Sequence, residues 1–387
     1  MPAITNVEDL RDLARRRIPK SIFEFVDHGS YDQVTLGANR DELKAIRFRQ
    51  KVLIDADNRS LGTTMLGEKV SMPLAIAPTG LTGLVHGDGE ILGARAAEAA
   101  GIRFCLSTMS ICSIEDIRGA TKAPFWFQLY VFRDRGFSES VIERAKAAGC
   151  TALFLTVDLP MRGQRHCDIK NGLTVPPRLT ARNAIDIATK PAWALGVLMG
   201  KRKSFGNIDV YLNNKKGIWA AGKWGDANFD ASLSWDDVTW IRKLWPGKLV
   251  IKGVLDVEDA RRAADMGADG VVVSNHGGRQ LDGAPATISV LPRIAEAVGE
   301  RIEVLFDGGV RSGQDVLKAV ALGARGCLMG RAFLYGLGAM GEAGVTKAID
   351  LIRNELKVSM SLTGVRDIHD VTRDILYDYG EDRRSNV

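Results

Sequence analysis

A histidine, an arginine and an aspartate share the short stretch SNHGGRQLDG (274–283), which follows the plain apolar run 270–273. An imidazole such as His276 can take or give a proton near neutral pH. A guanidinium such as Arg279 can grip a carboxylate through two parallel hydrogen bonds. Alone, a histidine among glycines is usually a solvated turn. Other apolar runs also end in polar residues: Thr79 and Gly80, Ser107 and Thr108, Gln128 and Tyr130, and Thr156 and Asp158 with Arg165 just beyond. Later runs hold Lys252, Ser274 with His276, Asp307 and Arg331. Burying Gln, Lys or Asp in an apolar segment costs free energy unless it is paired. One such residue fits a satisfied core, whereas a series at the same end of successive runs points to one shared site.

Two glycine-rich turns add a second chemistry. DGGVRSG (307–313) carries Gly309 and Arg311, and MGR (329–331) carries Gly330 and Arg331. Turns after the last two strands of a barrel often hold phosphate on backbone N–H groups and a helix N-terminus. The plainer reading is tight-turn glycine with solvated arginines. Neither turn is a GxGxxG after a first strand, so a Rossmann dinucleotide site is not expected. No metal site is expected either, because His28, His86, His166, His276 and His369 are far apart and form no HxH or HExxH. The five cysteines form no CxxC pair and read as reduced thiols.

These residues need a scaffold that brings strand ends together. One pattern recurs: an Ala-rich amphipathic segment, a glycine, then an apolar run ending in polar residues, as in AKAAGCTALFLTVD, AADMGADGVVVSN and AVALGARGCLMGR. Each reads as helix, glycine cap and buried strand. Strands are expected at 74–80, 104–108, 125–130, 152–158, 248–254, 270–275, 303–309 and 326–331, with amphipathic helices between them. Eight apolar strands alternating with helices predict an α/β fold, a (β/α)8 TIM barrel. A doubly wound sheet is the alternative.

A single domain over 1–387 is expected, with its barrel at about 71–340. Residues 1–70 read as an N-terminal helical extension, and about 341–370 as closing helices before a polar tail. A long insertion at about 172–234 interrupts the alternation after the fourth strand. In it, PAWALGVLMGKRKSFG runs from apolar residues into a Lys-Arg-Lys cluster. One reading is a surface loop packed on a neighbouring subunit. The sharper one is a peripheral membrane contact.

The chain is 45% apolar and 26% charged, with a net charge of +5. Its basic residues are scattered, which argues against nucleic acid as a partner. The N-terminal stretch is charged where a signal peptide is apolar, and no apolar run reaches the roughly 18 residues of a spanning helix. The expected location is cytoplasmic, with peripheral association on the inner face of the cell membrane as the variant reading.

The chain resembles the FMN-dependent 2-hydroxy acid dehydrogenase/oxidase family, which includes glycolate oxidase, flavin L-lactate dehydrogenase and mandelate dehydrogenase. SNHGGRQLD is similar to its signature, and MPLAIAPTG, FQLYV, LTVDLP, IKGV, FDGGVRSG and LGARGCLMGR follow in the family order. The resemblance runs from ITNVEDL to about LTGVRDI, and the central segment and GRAFLYGLG look most like bacterial quinone- or respiratory-chain-linked L-lactate dehydrogenases. It implies a (β/α)8 barrel with FMN at its C-terminal mouth and oxidation of an (S)-2-hydroxy acid, lactate-like or larger, to the 2-oxo acid. Two electrons pass to flavin N5, by a hydride or a carbanion route. His276 matches the family's base and Asp158 its carboxylate partner. Arg165 and Arg279 match the arginines that hold the substrate carboxylate, and Tyr130 the pocket tyrosine. Thr79 matches the backbone near flavin N5. Ser107, Gln128, Thr156 and Ser274 match polar contacts to the cofactor, and Lys252 the cation near N1 and O2. Asp307 matches the ribityl contact, and Gly309, Arg311, Gly330 and Arg331 the phosphate cradle. The electron acceptor would be a quinone or oxygen, and the assembly a homotetramer.

One departure stands out. The family's N-terminal tyrosine, whose hydroxyl helps bind the substrate carboxylate, is matched by Phe25 in SIFEFVDHG. A bulkier apolar substrate, weaker carboxylate binding, or rescue by Tyr31 would each follow. Met109 stands at a pocket position often aromatic in glycolate oxidase, and Met adapts its shape to larger ligands. Gly80 replaces an alanine of several oxidases, which favours an acceptor other than oxygen. Gly277 and Gly278 are expected to let the backbone pass close to bound ligands. Competing readings are an oxygen-using oxidase or monooxygenase, a phosphate-binding barrel lyase or isomerase with Lys252 as Schiff base, and a binding protein that has lost catalysis.

Overall fold

The computed structural model describes residues 3–55, 57–173, 180–213 and 217–377. The expected polar tail beyond 377 lies outside these residues, as do two short parts of the insertion.

An antiparallel hairpin, β1 (Thr63–Met65) and β2 (Glu68–Val70), precedes the barrel. Eight strands then follow: β3 (Leu74–Ile76), β4 (Arg103–Ser107), β5 (Trp126–Leu129), β6 (Ala152–Thr156), β7 (Lys248–Val254), β8 (Gly270–Val273), β9 (Glu303–Phe306) and β10 (Gly326–Met329). Each pairs in parallel with the next, and β10 pairs with β3, so the sheet closes. Closure excludes the doubly wound sheet. All eight expected strands form. Most stop earlier than the sequence pattern suggested, because their polar ends leave the ladder to build the barrel mouth.

The strands are buried because helices cover the outside and large side chains fill the inside. Trp126 stacks on Phe154 there, with ring centroids 5.2 Å apart, among Val250, Val272, Leu305 and Leu328. Several outer helices start on capping boxes, in which a serine and an aspartate three residues on satisfy each other's backbone N–H; Ser113, Ser234 and Ser312 lead them. Between Lys252 and Val254 the register with β8 slips at Gly253, whose φ is 108°. A Cβ there would come within 2.5 Å of Asp158 Cβ, so glycine is required for this close approach.

The hairpin corrects the expected all-helical extension. Helices Val7–Arg17, Lys20–Asp27 and Val34–Ala45 form, but 63–70 turns back on itself through Leu66 and Gly67, at φ 52° and 80°. Two left-handed turn residues match the twist of a tight hairpin. Met65 and Leu66 plug the N-terminal end of the barrel, where Gly326 and Gly270 leave them room. Glu68 accepts the indole N–H of Trp126 at 3.1 Å and pairs with Arg103. At the other end of the chain, the long helix Glu342–Leu362 packs on helix Arg331–Met340, as expected of closing helices.

Where it is described, the insertion is mostly helical. Its described residues form helices Ala181–Ala188, Pro191–Met199, Gly206–Leu212 and Ile218–Asn228. They fold back over the mouth. Trp193 Nε1 donates to Leu84 O at 2.9 Å, and Arg202 joins Asp116 at 2.7 Å and Asp88 at 3.4 Å.

Candidate active site

The C-terminal strand ends open into a cavity of about 840 Å³. Fourteen of the sixteen residues matched above to catalytic, substrate and cofactor roles line it, and the other two lie against the lining, Ser274 on Lys252 and Asp158 on His276.

His276 follows β8, and Asp158 follows β6. The His276 Nδ1 and Asp158 Oδ1 atoms are 2.8 Å apart. Burial pushes the Asp158 carboxyl up, but His276 and then Lys252 outweigh it, leaving it below its ordinary range. A carboxylate at Nδ1 assigns the ring proton to that nitrogen. Nε2 is then the acceptor facing the cavity, 3.4 Å from the Tyr130 hydroxyl. His276 itself sits at φ 57°, a left-handed conformation that costs a non-glycine residue about 1–3 kcal/mol. The two following glycines are needed for packing rather than for ligand approach alone: a Cβ on Gly277 would meet the Arg331 guanidinium at 2.8 Å, and one on Gly278 the Leu36 backbone at 2.7 Å.

Two guanidinium groups lie beside this pair. Arg279 donates to the carbonyls of Phe25 at 2.6 Å and His28 at 3.1 Å. Arg165 pairs with Asp168 at 2.8 Å. The Phe25 ring lies between them, 4.9 Å from the Arg279 carbon and 5.4 Å from that of Arg165. Burial, then the like charge of Arg165, pushes Arg279 well down. A bound carboxylate would relieve both effects. Tyr31 packs edge-on against His166 and does not line the cavity, so it does not replace the missing hydroxyl.

The rest of the lining fits a flat polar cofactor. Lys252 Nζ contacts Ser274 Oγ at 2.9 Å and Asp307 Oδ2 at 3.0 Å. Burial alone would lower its pKa, but Asp307 and Asp158 outweigh that and raise it. A lysine paired with Asp307 and hydrogen-bonded to Ser274 is a poor Schiff-base nucleophile, which weighs against that reading. Ser107 Oγ donates to Gln128 Oε1 at 2.9 Å, while Gln128 Nε2, Thr156 Oγ1 and Asp307 Oδ1 are buried with no partner among the described residues. Each such atom costs about 1–3 kcal/mol unless a ligand satisfies it. A ring system with carbonyl and N–H edges and a polyhydroxy chain supplies the complementary groups. Thr79 shares a hydrogen bond with Thr82 at 3.0 Å at the edge of this region.

The turns expected to cradle phosphate border the same cavity. Gly308 and Gly309 have φ near 100°, and Arg311 lies over the Tyr335 ring at 5.4 Å. Arg331, which burial pushes down to about 10, gives its hydrogen bonds to the carbonyls of Val26, Gly277 and His28. It thus ties the extension to the His276 turn as well as lending charge.

Sequence reasoning missed the roof. Trp193, Val197, Leu198, Ile218, Trp219 and Phe229 of the insertion line the cavity, giving it an apolar arm beyond the arginines. Nothing in their spacing announced this, since the contact is made across the fold. Asp168 was also missed, although its position three residues after Arg165, which caps the short helix His166–Lys170, was a readable signal.

A family model described as FMN-dependent dehydrogenase matches residues 14–378. An L-lactate dehydrogenase of Caulobacter vibrioides (strain NA1000 / CB15N) is 50% identical over 374 residues, 96% of this chain and 97% of that protein. The crystal structure of a monotopic membrane protein, (S)-mandelate dehydrogenase, superposes with a TM-score of 0.92 at 39% identity, covering 97% of this chain and 99% of that one. A mandelate oxidase solved with (S)-2-phenylpropionate gives 0.81 at 35% identity, covering 97% and 98%.

Proposed function

Because the chain belongs to the FMN-dependent dehydrogenase family and is an FMN-dependent 2-hydroxy acid oxidoreductase, we propose that it oxidises an apolar (S)-2-hydroxy acid, mandelate-like in size, with His276 as base. The observation that carries this is the His276–Asp158 pair beside Arg165 and Arg279, at the foot of an apolar arm.

When bound, FMN supplies the two-electron acceptor. Thr79, Ser107, Gln128, Thr156, Lys252, Ser274 and Asp307 would hold its ring and chain, and Gly309, Arg311, Gly330 and Arg331 its phosphate. Lys252 offers a buried positive charge where electron density accumulates. Arg279 and Arg165 bind the substrate carboxylate and fix its orientation, with Tyr130 beside the hydroxyl. His276 Nε2 takes the substrate proton, and Asp158 stabilises the imidazolium that forms. Phe25 removes a polar contact near the carboxylate, while Met109, Trp219 and Phe229 accept an apolar side chain.

The acceptor in this reading is a quinone, supported by the apolar roof. The exposed Leu195 and Met199 on helix Pro191–Met199, followed by Lys201 and Lys203, support peripheral contact with an anionic membrane. A homotetramer and a single domain complete it, by family analogy. The test is anaerobic addition of lactate, mandelate and longer 2-hydroxy acids to the yellow protein. Bleaching of the flavin is expected, fastest with mandelate; no bleaching by any of them overturns the reading. Reoxidation by quinone faster than by air supports the acceptor, and the reverse order overturns it.

A further inference from the structure

His276, Gly277 and Gly278 are three consecutive left-handed residues, with φ of 57°, 67° and 70°. A side chain stays in that region only where its surroundings hold it. Two buried amides do so here. Asn275 Oδ1 accepts the Gly278 N–H at 3.1 Å, closing the turn around His276. The same oxygen accepts Asn39 Nδ2 at 2.9 Å, and Asn275 Nδ2 donates back to Asn39 Oδ1 at 2.8 Å and to Pro285 O at 3.1 Å. The Thr287 N–H donates to Asn39 Oδ1 at 3.2 Å. Thr287 N and Pro285 O therefore fix which end of each amide is nitrogen.

The pair sits within a longer seam. Ser30 N donates to Gly278 O at 2.9 Å, Thr35 N to Asp282 at 2.9 Å, and Thr35 Oγ1 to Ala284 O at 2.8 Å. The Leu36 backbone presses on Gly278. The N-terminal extension thus grips the loop that carries both His276 and Arg279. Asn39 is 1% exposed and does not line the cavity.

We infer that Asn39 is a positioning residue for the reaction: through Asn275 it holds the left-handed turn that aims His276 Nε2 into the cavity. The inference rests on the assignment of His276 as base. Its effect is on geometry during turnover, where a small misplacement of a reacting group can cost up to about 100-fold in rate.

The experiment compares full-length, FMN-loaded wild type, Asn39→Asp, Asn39→Leu and His276→Asn. Asn39→Asp keeps volume and the acceptor for Thr287 but puts an oxygen against Asn275 Oδ1. Both Asn39 variants are expected to lose roughly tenfold or more in kcat, with KM within about twofold and unchanged FMN content. Amide hydrogen exchange across 276–283 is expected to speed up in both. Should Asn39→Leu fail to fold, Asn39→Asp decides. Wild-type kcat in Asn39→Asp overturns the inference, whether or not exchange changes, and so does a kcat loss that merely follows lost FMN. Fast turnover retained in His276→Asn would instead sink the base assignment, and the inference with it.

Discussion

Phe25 stands where the family resemblance implies a tyrosine, a difference of one oxygen atom. Its ring fills the space between two guanidinium groups, a placement worth about 0.5–2 kcal/mol per contact. What it lacks is a hydroxyl for a carboxylate. Phe25→Tyr should add a hydrogen bond to a charged group, about 1.5–3 kcal/mol, and lower KM for lactate by roughly tenfold; steady-state kinetics showing an unchanged or higher KM would refute this. His276→Asn is the complementary test. It leaves the cofactor contacts in place but removes the proton acceptor, so flavin should remain bound while stopped-flow reduction slows by about 100-fold or more. SNHGGRQLDG raised the question of a base, and the 2.8 Å approach of Asp158, from another strand end, is the contact that supports the proposal of His276 in that role.

Among the elements, the hairpin and the bulge act at opposite ends of the barrel. The bulge at Gly253 brings Lys252 and Asp158 to the mouth. The hairpin plugs the other end with Met65, which is fully buried. Met65→Ala should destabilise the fold by about 2–5 kcal/mol, read as a lower Tm by calorimetry. FMN content and kcat should stay at wild-type values, because the plug is remote from the mouth. A variant that loses FMN at unchanged Tm would contradict this division of labour.

At the scale of the whole molecule, the insertion gives the mouth a roof whose described residues line the cavity and also expose apolar side chains to the outside. Among the described residues no helix is long and apolar enough to cross a membrane. Leu195 and Met199 nevertheless stand 57% and 73% exposed on one short helix. Replacing both by Glu should release the protein from phosphatidylglycerol-rich vesicles in a sedimentation assay, with kcat toward a water-soluble acceptor within about twofold of wild type. Undiminished co-sedimentation of the double variant would show that this face is not the contact.

The sequence by itself determined the eight strands, their alternation with helices and the polar residue at the end of each. It did so because hydrophobic period and glycine caps are local properties of the chain. It also singled out His276, Asp158, Lys252 and both arginines, which the structure gathers at one cavity. The hairpin escaped because its eight residues sit beside three strong helices and bury their apolar side chains against glycines far along the chain. The roof escaped because Trp193 and Trp219 gain their role only when the insertion folds back over the mouth. Asn39 escaped because a buried amide in a helix says nothing until its partner, Asn275, is seen across 236 residues of sequence. What only the tertiary structure decided is which distant residues meet, and the hydrogen bonds that join Asn39 of the N-terminal extension to Asn275 beside His276 are a property of that meeting.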